Sequence, residues 1–183
     1  MNDNEKIIFG GGCFWCTEAI FKRLKGVSSV TPGYAGGTVD NPSYEEVCSG
    51  NTNHVEVIEA EFDRNVISLR VLIEIFLHTH NPTEIDRQGN DIGTQYRSAI
   101  FYFNDEQKSI ANTVIAEIDK SGLYKGVIAT RIEPYVNFFK AENYHQNYYD
   151  NNKNNFYCSA IISPKVQKLI KEYSSKVKEE YIN

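Results

Sequence analysis

Cys13 follows three consecutive glycines and is followed by Phe14, Trp15 and Cys16, in the run GGGCFWC. Packing alone does not call for glycines behind a cysteine. The preceding segment KIIFGGG reads as a buried strand entering a glycine turn, and the spacing predicts a helix from about Phe14 to Leu24. Cys13 is therefore expected at a strand-to-helix junction, where unpaired amides and the helix dipole favour thiolate over thiol. Glycines there permit a tight turn and close approach of a ligand to the backbone. Phe14 and Trp15, beside the sulfur, offer an apolar wall for a small nonpolar group. Cys16 fits two readings, a Cys-x-x-Cys redox pair with Cys13 or a buried helix position on the face of Ile20. Cys48 reads as a core thiol. Cys158 follows the polar stretch HQNYYDNNKNN, expected to be mobile, and is a candidate resolving thiol.

Glu56 is the most informative acid. On the strand HVEVIEAEFD it shares one face with Ile58, Ala60 and Phe62, which look core-facing. A carboxyl aimed into apolar surroundings keeps its proton to higher pH and can act as a general acid. Tyr44 and Tyr96 sit beside two long loops, residues 31–43 and 79–95, and are placed to donate hydrogen bonds to an oxygen; loops of that length are often functional. His54, His78, His80 and His145 form no convincing metal set, and only Cys13 and Cys16 have ligand spacing, so no metal is expected.

These residues must be positioned by a mixture of strands and helices. SYEEVCSG carries Ser43 and Glu46 at capping-box spacing, with Gly50 as a stop, and predicts a short helix. SLRVLIEIFLHTH places Leu69, Leu72, Ile73, Phe76 and Leu77 on one helical face and ends at Asn81-Pro82. YRSAIFYF and VIATRIEPY read as strands, flanking a helix capped by Asn104 and stopped by Gly122. From Ser163-Pro164 a terminal amphipathic helix carries Val166, Leu169, Ile170, Tyr173 and Val177. The irregular alternation implies an α+β fold, a two-layer sandwich with a mixed β-sheet, flanking helices and an irregular C-terminal segment. The 183 residues are expected to form one catalytic domain, with a core over about 6–158 and an extension over 159–183. A net charge of −5 argues against nonspecific nucleic-acid binding. No apolar run reaches membrane-spanning length, and the N-terminus lacks signal-peptide character. Four cysteines are too few for a disulfide scaffold, so the thiols are expected free in a reducing, cytoplasmic setting.

GGCFW, GYAGG, PSYEEVCSGNTNHVEVIE and RQGNDIGTQYRSAI, in this order, closely resemble the A-class peptide methionine sulfoxide reductases. The likeness runs from about Ile7 to Cys158. It implies that Cys13 is the nucleophile, that Phe14 and Trp15 receive the substrate methyl group, and that Tyr44 and Tyr96 hold the sulfoxide oxygen. It further implies that Glu56 protonates that oxygen, that Asp91 is the acidic residue at the pocket, and that Cys158 is the resolving cysteine, with Cys16 the alternative. The implied reaction is reduction of methionine-S-sulfoxide, in proteins and free, through a Cys13 sulfenic acid and a disulfide. It requires no bound cofactor, uses thioredoxin as external dithiol, and is expected of a monomer with no nucleic-acid or membrane partner.

Two other readings compete. A thioredoxin-like thiol–disulfide oxidoreductase would use Cys13 and Cys16 and would reduce insulin disulfides without any sulfoxide. A zinc-stabilised binding module would reveal itself by metal analysis.

Overall fold

The fold is described from a computed structural model covering residues 4–182. A six-stranded mixed sheet runs in the order β7-β6-β1-β3-β2-β8. β1 (Asn4–Gly11) pairs antiparallel with β3 (Val55–Asp63) and β6 (Ser98–Tyr102). β2 (Val27–Ala35) pairs antiparallel with β3 and with β8 (Phe138–Lys140), while β7 (Arg131–Pro134) lies parallel to β6. Alternation along β1 divides the sheet's faces. Ile7 and Phe9 enter the main core, whereas Ile8 joins a smaller cluster with Val55, Val57 and Phe101 on the other face. This is the mixed-sheet α/β architecture expected from the alternating pattern.

The helices begin where their caps predict. α2 (Tyr44–Cys48) carries the complete Ser43–Glu46 capping box. α3 (Leu69–Thr79) is capped by the Ser68 side chain and buries Leu69, Leu72, Ile73, Phe76 and Leu77. α4 (Asp105–Ser121) is capped by Asn104 and stops at Gly122, which adopts φ 71°. α1 (Phe14–Phe21) packs on β2 and β3 and ends about a turn earlier than its periodicity suggests.

Four departures matter. The expected strand VIATRIEPY shortens to Arg131–Pro134, with Val127 left exposed. β8 was not anticipated. Inside the long loop, β4 (Arg87–Gln88) and β5 (Asp91–Ile92) form a small hairpin. The Asn-rich stretch is not a mobile arm: it contains α5 (Tyr148–Asn151) and leads into a π-helical turn, Cys158–Ile162, continuous with α6 (Ser163–Tyr173). Asn155 caps this start by accepting the Tyr157 N–H at 2.9 Å. Val166 and Leu169 enter the main core, and Val177, beyond the helix rather than on it, bridges to Leu24. Among the described residues no helix is long and apolar enough to cross a membrane.

Candidate active site

Cys13 is the last residue before α1, with φ −57° and ψ 124°. The glycines now have a physical reason. Gly12 adopts φ 88°, and a Cβ there would lie 2.6 Å from the Gln88 Cβ, so only glycine lets the 81–91 loop close over the nucleophile turn. Cys13 is half-buried and Cys16 buried. Their side chains interact electrostatically. Burial pushes the Cys13 thiol well above its ordinary range, with the Cys16 contact adding to it and the Trp15 N–H opposing it. The interaction with Cys13 lowers Cys16 to about 7, helped by Lys165 and the Tyr157 hydroxyl. The first proton is thus lost from the pair, which then holds one shared negative charge. The expectation of an acidic Cys13 at the helix start becomes that of an acidic Cys13–Cys16 pair.

Glu56 is 1 % exposed on β3. Its Oε2 accepts the Phe14 N–H at 3.2 Å, which orients it towards the start of α1. Burial pushes its carboxyl up to about 8, and the nearby charges of Asp91 and Cys16 act in the same direction. At neutral pH it holds a proton.

Tyr44 opens α2 and Tyr96 closes the helical turn Thr94–Tyr96. Burial raises both phenols, and Glu56 is among the groups that raise them further. Glu142 fixes this wall: its Oε1 accepts the Tyr44 N–H at 2.8 Å and its Oε2 the Tyr34 hydroxyl at 2.7 Å. Asp91, on β5, accepts the Tyr157 hydroxyl at 2.8 Å, and that hydroxyl lies 3.8 Å from the Cys16 Sγ.

The two aromatics after the cysteine divide their work. Phe14 is 1 % exposed and packs behind the site against the Tyr34 and His145 rings, 5.8 and 4.9 Å away between centroids. Trp15 is half-buried; its indole stacks on Tyr148 at 3.6 Å and 5°. Its Nε1–H donates to the His145 Nδ1 at 3.0 Å, and Tyr157 meets it edge-on. A cleft of about 590 Å³ opens beside the thiols, lined among others by Cys13, Cys16, Asp91, Phe156, Tyr157 and Lys165.

The fold brings Cys13, Cys16 and Asp91 into one cleft, ties Glu56 to Phe14 and sets Trp15 against Tyr157, while Tyr44 and Tyr96 are linked to the acid through electrostatics. Cys158 stands apart: it is 0 % exposed, held in a helix, and its carbonyl accepts both the N–H and the hydroxyl of Ser163. Cys48 is exposed rather than a core thiol, because only Val47 of its single-turn helix is buried; its thiol interacts electrostatically with Tyr44. His145, Tyr148 and Tyr157 were not singled out from the sequence. The signal available was the density of aromatics in a stretch otherwise read as polar. Among the described residues no group of three or more His, Cys, Asp or Glu side chains is placed to hold a metal.

A thiol pair beside a carboxylic acid kept protonated by burial is the equipment of a thiol-based enzyme that works with acid assistance. The family described as "Peptide methionine sulfoxide reductase" matches residues 5–178. Peptide methionine sulfoxide reductase MsrA of Saccharolobus solfataricus is 52% identical over 174 residues, covering 95% of this chain and 97% of that protein. Among solved structures, reduced Mxr1 from Saccharomyces cerevisiae matches with a TM-score of 0.78 at 35% identity, covering 85% of this chain and 90% of that one. Mxr1 in complex with Trx2 matches with a TM-score of 0.56 at 26% identity, covering 80% and 85%. The chain belongs to the A class of the peptide methionine sulfoxide reductases, and it reduces methionine sulfoxide.

Proposed function

We propose that the substrate is the S epimer of methionine sulfoxide, in proteins and free, and that Cys13 is the attacking thiol. The observation that carries this reading is the buried Glu56 carboxyl bonded to the N–H of Phe14, the residue directly after Cys13. The substrate methyl group rests against Trp15, with Phe14 packed behind. The phenols donate to the sulfoxide oxygen, and Asp91, held by Tyr157, helps keep the Glu56 proton in place. The Cys13 thiolate attacks the electrophilic sulfur as Glu56 protonates the oxygen. The S–O bond of the substrate breaks, the oxygen and its proton end on the Cys13 sulfur, and methionine leaves; Cys13 is then a sulfenic acid.

A second thiol condenses with the sulfenic acid, forming a disulfide and releasing water. Cys158 stands where the family resemblance puts that thiol, yet it is fully buried in a helix, whereas Cys16 lies three residues from Cys13 and lines the same cleft. The pair straddles the helix start, where Cys13 is not yet helical. We assign the first condensation to Cys16, with Cys158 reached only after the helix around it opens. An external dithiol then regenerates both thiols. The structure of Mxr1 in complex with Trx2 supports thioredoxin in that role. Incubation of the pure chain with dithiothreitol and the separated epimers of dabsylated methionine sulfoxide tests the reading. The S epimer should be consumed and the R epimer spared; equal consumption would refute it.

A further inference from the structure

Glu18 is a buried carboxyl that the chemistry above does not use. It lies on α1 one turn after Trp15 and is 4 % exposed. Its Oε1 accepts the N–H of Asn147 at 2.7 Å, and the Tyr148 N–H also favours the carboxylate. These are the first free amides of α5. That helix lacks a cap of its own: Asn147 adopts φ 56° and its side chain makes no capping bond. A residue from another helix therefore does the capping.

Tyr148, the first residue of α5, lies flat against Trp15, and His145, just before it, accepts the Trp15 indole N–H. A closed circuit results. Trp15 and Glu18 share α1; Glu18 holds residues 147 and 148; Tyr148 and His145 hold the indole. The circuit fixes the ring plane against rotation about the Trp15 side-chain bonds. Lys22, which caps the C-terminus of α1, donates to Asp150 at 2.9 Å and also to the Asn147 Oδ1, fastening the other side of the same segment.

We propose that Glu18 is a positioning residue: by capping α5 from α1 it locks the Trp15–Tyr148 stack, and through that stack it sets affinity for the sulfoxide's methyl group. The second half rests on the reading of Trp15 as the methyl wall. Burial pushes the Glu18 carboxyl up to about 7 against the pull of the two amides, as suits a group kept for these contacts rather than for solubility.

Trp15 is the only tryptophan, so its fluorescence in the full chain reads the stack directly. Glu18→Ala should shift its emission to the red and raise its quenching by acrylamide. The KM for methionine sulfoxide should rise roughly tenfold. The single-turnover rate at saturating substrate should change by less than about twofold. Glu18→Gln, which keeps an acceptor oxygen, should recover most of the affinity. Glu18→Asp, one methylene too short for the two amides, decides the matter if the alanine variant does not fold, and should move emission in the same direction. Unchanged emission and quenching in the folded variants, or a fall in kcat with KM constant, would overturn the proposal. A shifted emission with an unchanged KM would support the positioning of the stack and remove the methyl-wall reading of Trp15.

Discussion

The backbone N–H of Phe14 donates to the Glu56 carboxylate at 3.2 Å, joining the residue after the nucleophile to the buried acid. This bond spans the strand β3 and the start of α1, so the acid and the sulfur keep a common frame. It also restrains the rise in Glu56's proton affinity that burial produces, leaving the acid near 8. An acid tuned close to ambient pH transfers its proton most effectively.

A bell-shaped profile follows for the sulfenic-acid-forming step. The thiol pair loses its first proton at about 7, so the nucleophile is lost as pH falls below that value. Glu56 gives up its proton at about 8, so the acid is lost as pH rises above it. Single-turnover rates should climb through the first value and decline through the second. Glu56→Gln should erase the declining limb and slow the step by ~10²–10⁴-fold. A declining limb that persists in this variant would place the acid elsewhere.

Replacement of the two candidate resolving thiols should have unequal effects. Cys16→Ser should leave one reductive turnover intact and remove the fast disulfide, whereas Cys158→Ser should leave a Cys13–Cys16 disulfide in place. Peptide mapping after one equivalent of substrate reads the pairing. A Cys13–Cys158 disulfide in the wild-type chain, with Cys16 free, would reverse the assignment.

Arg23 is buried, and its guanidinium donates to Asp150 at 2.5 Å and to the Ala19 carbonyl, between the rings of Tyr149 and Tyr181. Removing the carboxylate leaves this charge without its anionic partner. Asp150→Ala should therefore cost about 3 kcal/mol, less than a fully enclosed pair because Asp150 is partly solvated. Urea denaturation measures it; a loss below about 1 kcal/mol would mean that water replaces the carboxylate.

Much of the site was legible because its signals are local. Ser43 and Glu46 lie three residues apart, and so do Cys13 and Cys16; alternation along β3 already aimed Glu56 inward. The misread parts depend on distant partners. Trp15 meets His145 and Tyr148 across more than half the chain, and no short window carries that pairing. Asn155 was read as part of a flexible run, but its side chain caps the turn that buries Cys158. Cys48 reads as a core thiol, but a helix of five residues buries only Val47. Glu18 was passed over because an acid beside Lys22 on a helix looks solvent-facing until the fold lays α5 across it.

The central claim is that Cys13 itself takes the oxygen. A variant carrying both Cys16→Ser and Cys158→Ser keeps the nucleophile and removes its resolving partners. Mixed with excess methionine-S-sulfoxide and dimedone, without reductant, it should release one methionine per chain and carry the dimedone adduct on Cys13 in the mass spectrum of its peptides. Methionine formed while Cys13 remains an unmodified thiol, or an adduct confined to Cys48, would contradict the account.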